Sequence, residues 1–223
     1  MTNNRSVLVS DLKHLRAIVE PQFVGDDIRL IHVLRPLAAL YAESGSLDEA
    51  LEPQRRIYRL SLKFKGNVNL PSIADARKAL AATLQGLKQY DEAIPLLQAA
   101  LSDGDESAAS ALVDCLQNVG RFDEAIVICQ SMVVRFEQQT DDKSFGTHVG
   151  WLMNLSRCYS RQNDYAAAAQ VCERTIPLMA ARAEVLCIPQ LDVLAELYRQ
   201  AGDTVEHDRV RARRREIADR CDY

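Results

Sequence analysis

One short phrase recurs along this chain: a turn residue, an aromatic or Leu two places on, an acidic pair, then Ala and an aliphatic residue. It runs from Gly45 through Leu47, Asp48, Glu49 and Ala50, from Lys88 through Tyr90 to Ala93, and from Gly120 through Phe122 to Ala125. A fourth copy, from Asn163 through Tyr165 to Ala168, replaces the acids with Ala166 and Ala167, and a weaker fifth begins at Gly202. The alanines fall at 50, 93, 125 and 168, so the spacings are 43, 32 and 43. Periods in this range belong to stacked helical hairpins, each unable to bury its apolar face alone. Such stacks hold partners far more often than they perform chemistry.

The residues between the phrases supply the helices. Leu34, Leu37, Ala38 and Tyr41 have the spacing of one buried helical face. The same set returns as Leu80, Ala81 and Leu84, as Leu112, Val113 and Leu116, as Leu152, Leu155, Ser156 and Tyr159, and as Leu191, Leu194, Ala195 and Tyr198. Gly45 suits a left-handed helix end. Ser46 and Glu49 have capping-box spacing, and Ser72 stands where the next helix should start. Pro36 should kink or split its helix by clashing with the carbonyl of His32. An opening helix over about 6–20 should pack on the first repeat, repeats should fill about 27–203, and a highly charged helix over 204–221 should cap the end. A single domain over 1–223 is expected, with a polar loop from Gln138 to about Ser144.

At 223 residues, with 48% apolar and 26% charged residues, the composition is that of a folded domain. The net charge of −4 gives no global attraction to nucleic acid or an anionic membrane. No apolar run reaches the roughly 18 residues of a membrane span. Asp11 and Lys13 interrupt any early signal core, so a cytoplasmic location is expected. The six cysteines, Cys115, Cys129, Cys158, Cys172, Cys187 and Cys221, lie in helical patterns without CxxC or zinc spacing. They are expected to be reduced, buried filler.

The repeated phrases resemble tetratricopeptide repeats. The first copy matches with Leu37, Ala38, Tyr41, Gly45, Leu47 and Ala50, the second with Leu80, Ala81, Leu84, Tyr90 and Ala93. The third matches with Leu112, Leu116, Gly120, Phe122 and Ala125, the fourth with Leu155, Ser156, Tyr159, Tyr165 and Ala168. The fifth keeps Leu194, Ala195, Tyr198 and Gly202. The 43-residue spacings are similar to the longer repeats of the kinesin light chain group; the 32-residue step departs from them. The resemblance implies an all-α fold, a right-handed superhelix of stacked antiparallel helix hairpins. It also implies a concave groove, lined by the first helix of each repeat, that takes a peptide or helix of a partner.

A residue one place after the buried set is rotated by about 100° from it, beside the core yet exposed. On this chain that stripe gives Arg35, Lys78, Asp114, Gln117, Asn118, Met153, Arg157, Arg161, Asp192, Arg199 and Gln200. Its basic groups outnumber its acids, and Arg recognises carboxylates through a planar two-donor fork. The expected partner-binding residues are therefore Arg35, Lys78, Gln117, Asn118, Met153, Arg157, Arg161 and Arg199, holding a protein or peptide of acidic character. A solvated helix face accounts for the same residues. The Lys-and-Asn clamp of the family's chaperone-tail binders is not carried over, because Ala82 and Ala111 replace polar partners.

No phosphate loop, HExxH or GxSxG occurs. His14, His32, His148 and His207 are scattered, and the Asp-Glu pairs sit at helix starts, where the macrodipole explains them. No enzyme activity, cofactor or metal is expected. The alternative function is binding of RNA or an acidic surface through the arginines between Arg209 and Arg215, which lack aromatic neighbours for base stacking. A charged, solubilising end cap explains the same run.

Overall fold

In the computed structural model the described residues are 27–137 and 142–221, with 10, 11, 13–15, 17, 18 and 21. The chain is all-helical, and no strand occurs among the described residues. The helices are α1 (Ile31–Glu43), α2 (Leu47–Lys63), α3 (Ile73–Gly86), α4 (Tyr90–Ser102), α5 (Ala108–Asn118), α6 (Phe122–Glu137), α7 (Asp142–Arg161), α8 (Tyr165–Ala180), α9 (Ile188–Ala201) and α10 (Thr204–Arg220). Short 3₁₀ turns, Ile28–Leu30 and Glu184–Cys187, precede α1 and α9. The chain divides into two compact units, Met1–Cys115 and Leu116–Tyr223.

Five hairpin turns share one construction. Gly45, Lys88, Gly120, Asn163 and Gly202 all have positive φ, between 60° and 80°. The residue after each donates its N–H back to a helix carbonyl: Ser46 to Tyr41, Gln89 to Leu84, Arg121 to Leu116, Asp164 to Tyr159 and Asp203 to Tyr198, at 2.8–3.0 Å. This Schellman-type closure satisfies the orphan carbonyls and reverses the chain within two residues. The repeated phrase therefore encodes the turn, and the Ala five places after the turn residue encodes the seam. Ala50, Ala93, Ala125 and Ala168 are fully buried at the start of each second helix.

In the first unit α1 packs on α2, α2 on α3 and α3 on α4. Leu30, Ile31, Leu34 and Ala38 meet Ile57, Leu60, Leu70 and Ala76 in one apolar cluster. Gly86 makes room for Leu47, since a Cβ at that place would collide with the leucine. In the second unit α6 to α10 pack in chain order. Ala168, Cys172 and Ile176 of α8 join Leu191, Leu194 and Ala195 of α9 and Ile217 of α10.

Several expectations need correction. α1 runs unbroken through Pro36. Ser72 caps α3 by accepting from the N–H of Asp75 at 3.1 Å, but Ser46 makes no side-chain cap. α7 already begins at Asp142, inside the expected polar loop, whose residues 138–141 lie outside the described set. Five cysteines are buried, whereas Cys221 is exposed at the end of α10. The opening packing helix falls mostly outside the described residues; Leu15 and Ile18, on its expected apolar face, are about half exposed.

Candidate functional site

α7 places a regular stripe on one of its flanks. Gly150, Met153, Asn154, Arg157, Ser160 and Arg161 follow three- and four-residue steps, so they share a face. Gln190, Val193 and Leu197 do the same on α9. Together these two stripes line an open groove of about 580 Å³. Leu197 is buried in its wall, while Met153 and Val193 stand 45% and 46% exposed on it, enough to offer apolar surface to an incoming chain.

The polar groups are arranged asymmetrically. Arg157 donates to Asn154 Oδ1 at 2.9 Å, which holds its guanidinium along α7. Arg161, one turn further, is exposed and forms no ion pair among the described residues. No carboxylate lines the groove. Beneath it Ser156 donates to the carbonyl of Ala168 at 3.0 Å, and Gln190 donates to Cys172 Sγ at 3.0 Å. Burial pushes the Cys172 thiol upward in pKa, so it serves there as a neutral acceptor. The floor is thus tied to the α8 seam, and the two arginines carry the site's charge.

Three of the expected residues come together here: Met153, Arg157 and Arg161. The other expected residues are not among those lining this groove. Gln117 is buried, donating to Cys158 Sγ at 2.9 Å, so it braces a seam and does not face outward. Asn118 is exposed at the end of α5. Arg199 is exposed but clamped by Glu196, one helical turn earlier, with Nε to Oε2 at 2.8 Å. Arg199 and then Gln200 hold the Glu196 carboxyl down to a pKa of about 2. Arg35 and Lys78 belong to the first unit. Arg35 is exposed on α1, and Lys78 donates to Ser107 Oγ at 3.3 Å.

The α9 wall escaped the sequence reading for a geometric reason. Facing helices must present opposite flanks to the space between them. A stripe one place after the buried set describes α7, with Met153 following Leu152 and Arg157 following Ser156. The stripe one place before it describes α9, where Gln190 precedes Leu191 and Val193 precedes Leu194. Reading both flanks of every helix would have exposed Gln190, Val193 and Leu197.

The arginine-rich helix spends much of its charge inside the protein. Arg214 and Arg211 reach Asp192 of α9 at 3.2 and 3.6 Å, Arg220 reaches Glu184 at 3.3 Å, and Arg209 pairs with Glu206 at 3.3 Å. The Asp192 and Glu184 contacts tie α10, which buries only Val210, Ile217 and Ala218, to α9 and the turn before it, while the Arg209 pair stays within α10. Asp192, read from sequence as a groove acid, is the partner of this cap.

Comparison with known families decides what the hairpins are. Residues 84–141 and residues 152–181 each match a tetratricopeptide repeat model. Over these two stretches the chain carries tetratricopeptide repeats. Its fold is shared with a Podospora anserina protein described as a putative kinesin light chain with nearly identical TPR-like repeats. That match has a TM-score of 0.67 at 18% identity and covers 87% of this chain and 96% of that one. BtubC (BKLC) from P. vanneervenii matches with a TM-score of 0.61 at 16% identity, covering 99% and 90%. PlcR from Bacillus thuringiensis matches with a TM-score of 0.51 at 11% identity, covering 90% and 73%. At these identities the likeness is one of fold. Comparison with curated proteins gives no match. Among the described residues, no helix of this repeat protein is long and apolar enough to cross a membrane.

Proposed function

We propose that this chain is a non-enzymatic interaction scaffold whose α7–α9 groove holds an acid-bearing segment of a partner protein. One observation carries the reading: an open groove joins exposed apolar surface at Met153 and Val193 to two arginines one turn apart, with no carboxylate in its lining. An aliphatic or aromatic side chain loses water contact along Met153, Val193 and Leu197, while a neighbouring Asp or Glu meets Arg157 or Arg161. Charge-assisted hydrogen bonds of this kind contribute about 1.5–3 kcal/mol each when partly desolvated. PlcR, which shares only the fold, has been crystallised with the peptide PapR7 and DNA; that structure supports the idea that helices stacked in this way can accommodate a peptide.

The reading through the C-terminal arginines has less support, because Arg211, Arg214 and Arg220 already answer Asp192 and Glu184. A peptide-display selection against the full chain tests both. The expected winners place Asp or Glu beside a large apolar residue. Their affinity should fall at least tenfold for the double variant Arg157→Ala/Arg161→Ala, with helicity unchanged. Arg213→Ala/Arg215→Ala, at exposed places on α10, should change affinity much less. The opposite ranking would move the site to the last helix.

A further inference from the structure

Cys221 is the exposed cysteine of the six, and the last hairpin brings it back toward a buried one. α9 and α10 are antiparallel across the turn at Gly202, so the start of α9 lies beside the end of α10. Cys187 is the N-cap of α9, and Cys221 is the C-cap of α10. Cys187 shares an apolar cluster with Ile217 and Ala218. Cys221 follows those two residues by four and three places, on the same face of α10. Its N–H donates to the carbonyl of Ile217 at 3.1 Å, keeping it in helical register. Next to it, Arg220 pairs at 3.3 Å with Glu184, in the 3₁₀ turn that ends at Cys187. Burial above all raises the pKa of the Cys187 thiol, and the Cys221 sulfur adds to this as a minor cause, in keeping with the placement of both at the same end of the hairpin.

We infer that Cys187 and Cys221 are a paired oxidation site, closing to an intramolecular disulfide under peroxide and fastening the open end of the last hairpin. The exposed Cys221 meets the oxidant first. Its sulfur takes one oxygen from hydrogen peroxide, giving a sulfenic acid and one water. The sulfur of Cys187 then attacks that of Cys221. The S–S bond forms, the S–O bond breaks, and hydroxide leaves with the Cys187 proton as a second water. Two thiols are oxidised and one peroxide is reduced to two waters. Cys187 takes the second role through its place at the same end of the hairpin; burial pushes its thiol pKa up, and it gives up the proton it shares at 2.9 Å with the carbonyl of Glu184 as it attacks. The apolar anchorage of α10 is limited to Val210, Ile217 and Ala218, so a covalent bond at Cys221 adds a tether where the helix has few others. Because α9 also carries Val193 and Leu197, closure fixes one wall of the groove at its base.

The test uses the full chain, reduced, exposed to a small excess of hydrogen peroxide, alkylated and digested without reductant. The expected product is a peptide joining Cys187 to Cys221 within one chain, with the other four of the six cysteines alkylated. The thermal midpoint should rise on oxidation, and Cys221→Ser should abolish both the link and the rise. In Cys187→Ala the sulfenic acid should persist at Cys221 and react with dimedone. Cys221 recovered as a free thiol, as a higher acid, or joined to Cys221 of another chain would overturn the pairing. So would a Cys187→Ala variant that dimedone fails to label.

Discussion

Lys88 and Asn163 stand where the other three hairpins place glycine, and both adopt φ near 60°. Asn tolerates this left-handed conformation, and Tyr165 donates to its side chain at 2.8 Å. A lysine Cβ crowds the neighbouring carbonyl there at a cost of roughly 1–2 kcal/mol. Glycine avoids that crowding but gives up more chain entropy on folding, roughly 0.5–1 kcal/mol. Lys88→Gly should therefore stabilise the protein by about 0.5–1 kcal/mol, read as a higher denaturant midpoint at constant slope. A lower midpoint would show that the turn draws on contacts of the lysine side chain that outweigh the strain.

The helices were legible because turn and seam are encoded together. The phrase from Gly45 to Ala50 states where one helix stops, where the next begins and which small residue meets its neighbour. Start signals were less secure. Ser46 and Ser72 look alike in sequence, yet only Ser72 caps. Ser72 has the extended ψ of 156°, which aims its hydroxyl at the N–H of Asp75. Ser46 sits in a hairpin turn at ψ 66°. Asp164 and Asp203 occupy the same turn place at ψ 72° and 87°, and both do cap, at 3.0 Å, through a carboxylate one atom longer. Ser46→Asp should thus gain a cap for α2, stabilising by about 0.5–1 kcal/mol. An unchanged or lower midpoint in equilibrium unfolding would contradict the length argument. At Pro36 the helix is not split: packing of the buried neighbours Leu34, Leu37 and Ala38 holds α1 continuous despite the missing N–H.

Across the whole molecule, periodicity announces repeats but does not say which flank of each helix faces a shared space. Met153, Arg157 and Arg161 were legible because α7 presents the flank that follows its buried set. Gln190, Val193 and Leu197 were not, because α9 presents the opposite one. Gln117 shows the reverse error, a residue beside the core in sequence that turns inward to Cys158. Arg199 has the right flank spacing for solvent, and Glu196 takes its charge. The proposed groove is narrower than the stripe and is lined by residues of the second unit. Hydrogen exchange of the full chain, with and without the selected peptide, addresses it directly. The account predicts slowed exchange confined to about 150–161 and 190–197, with little change over 31–102. Protection falling on 204–220 alone, or absent from α7 and α9, would contradict it.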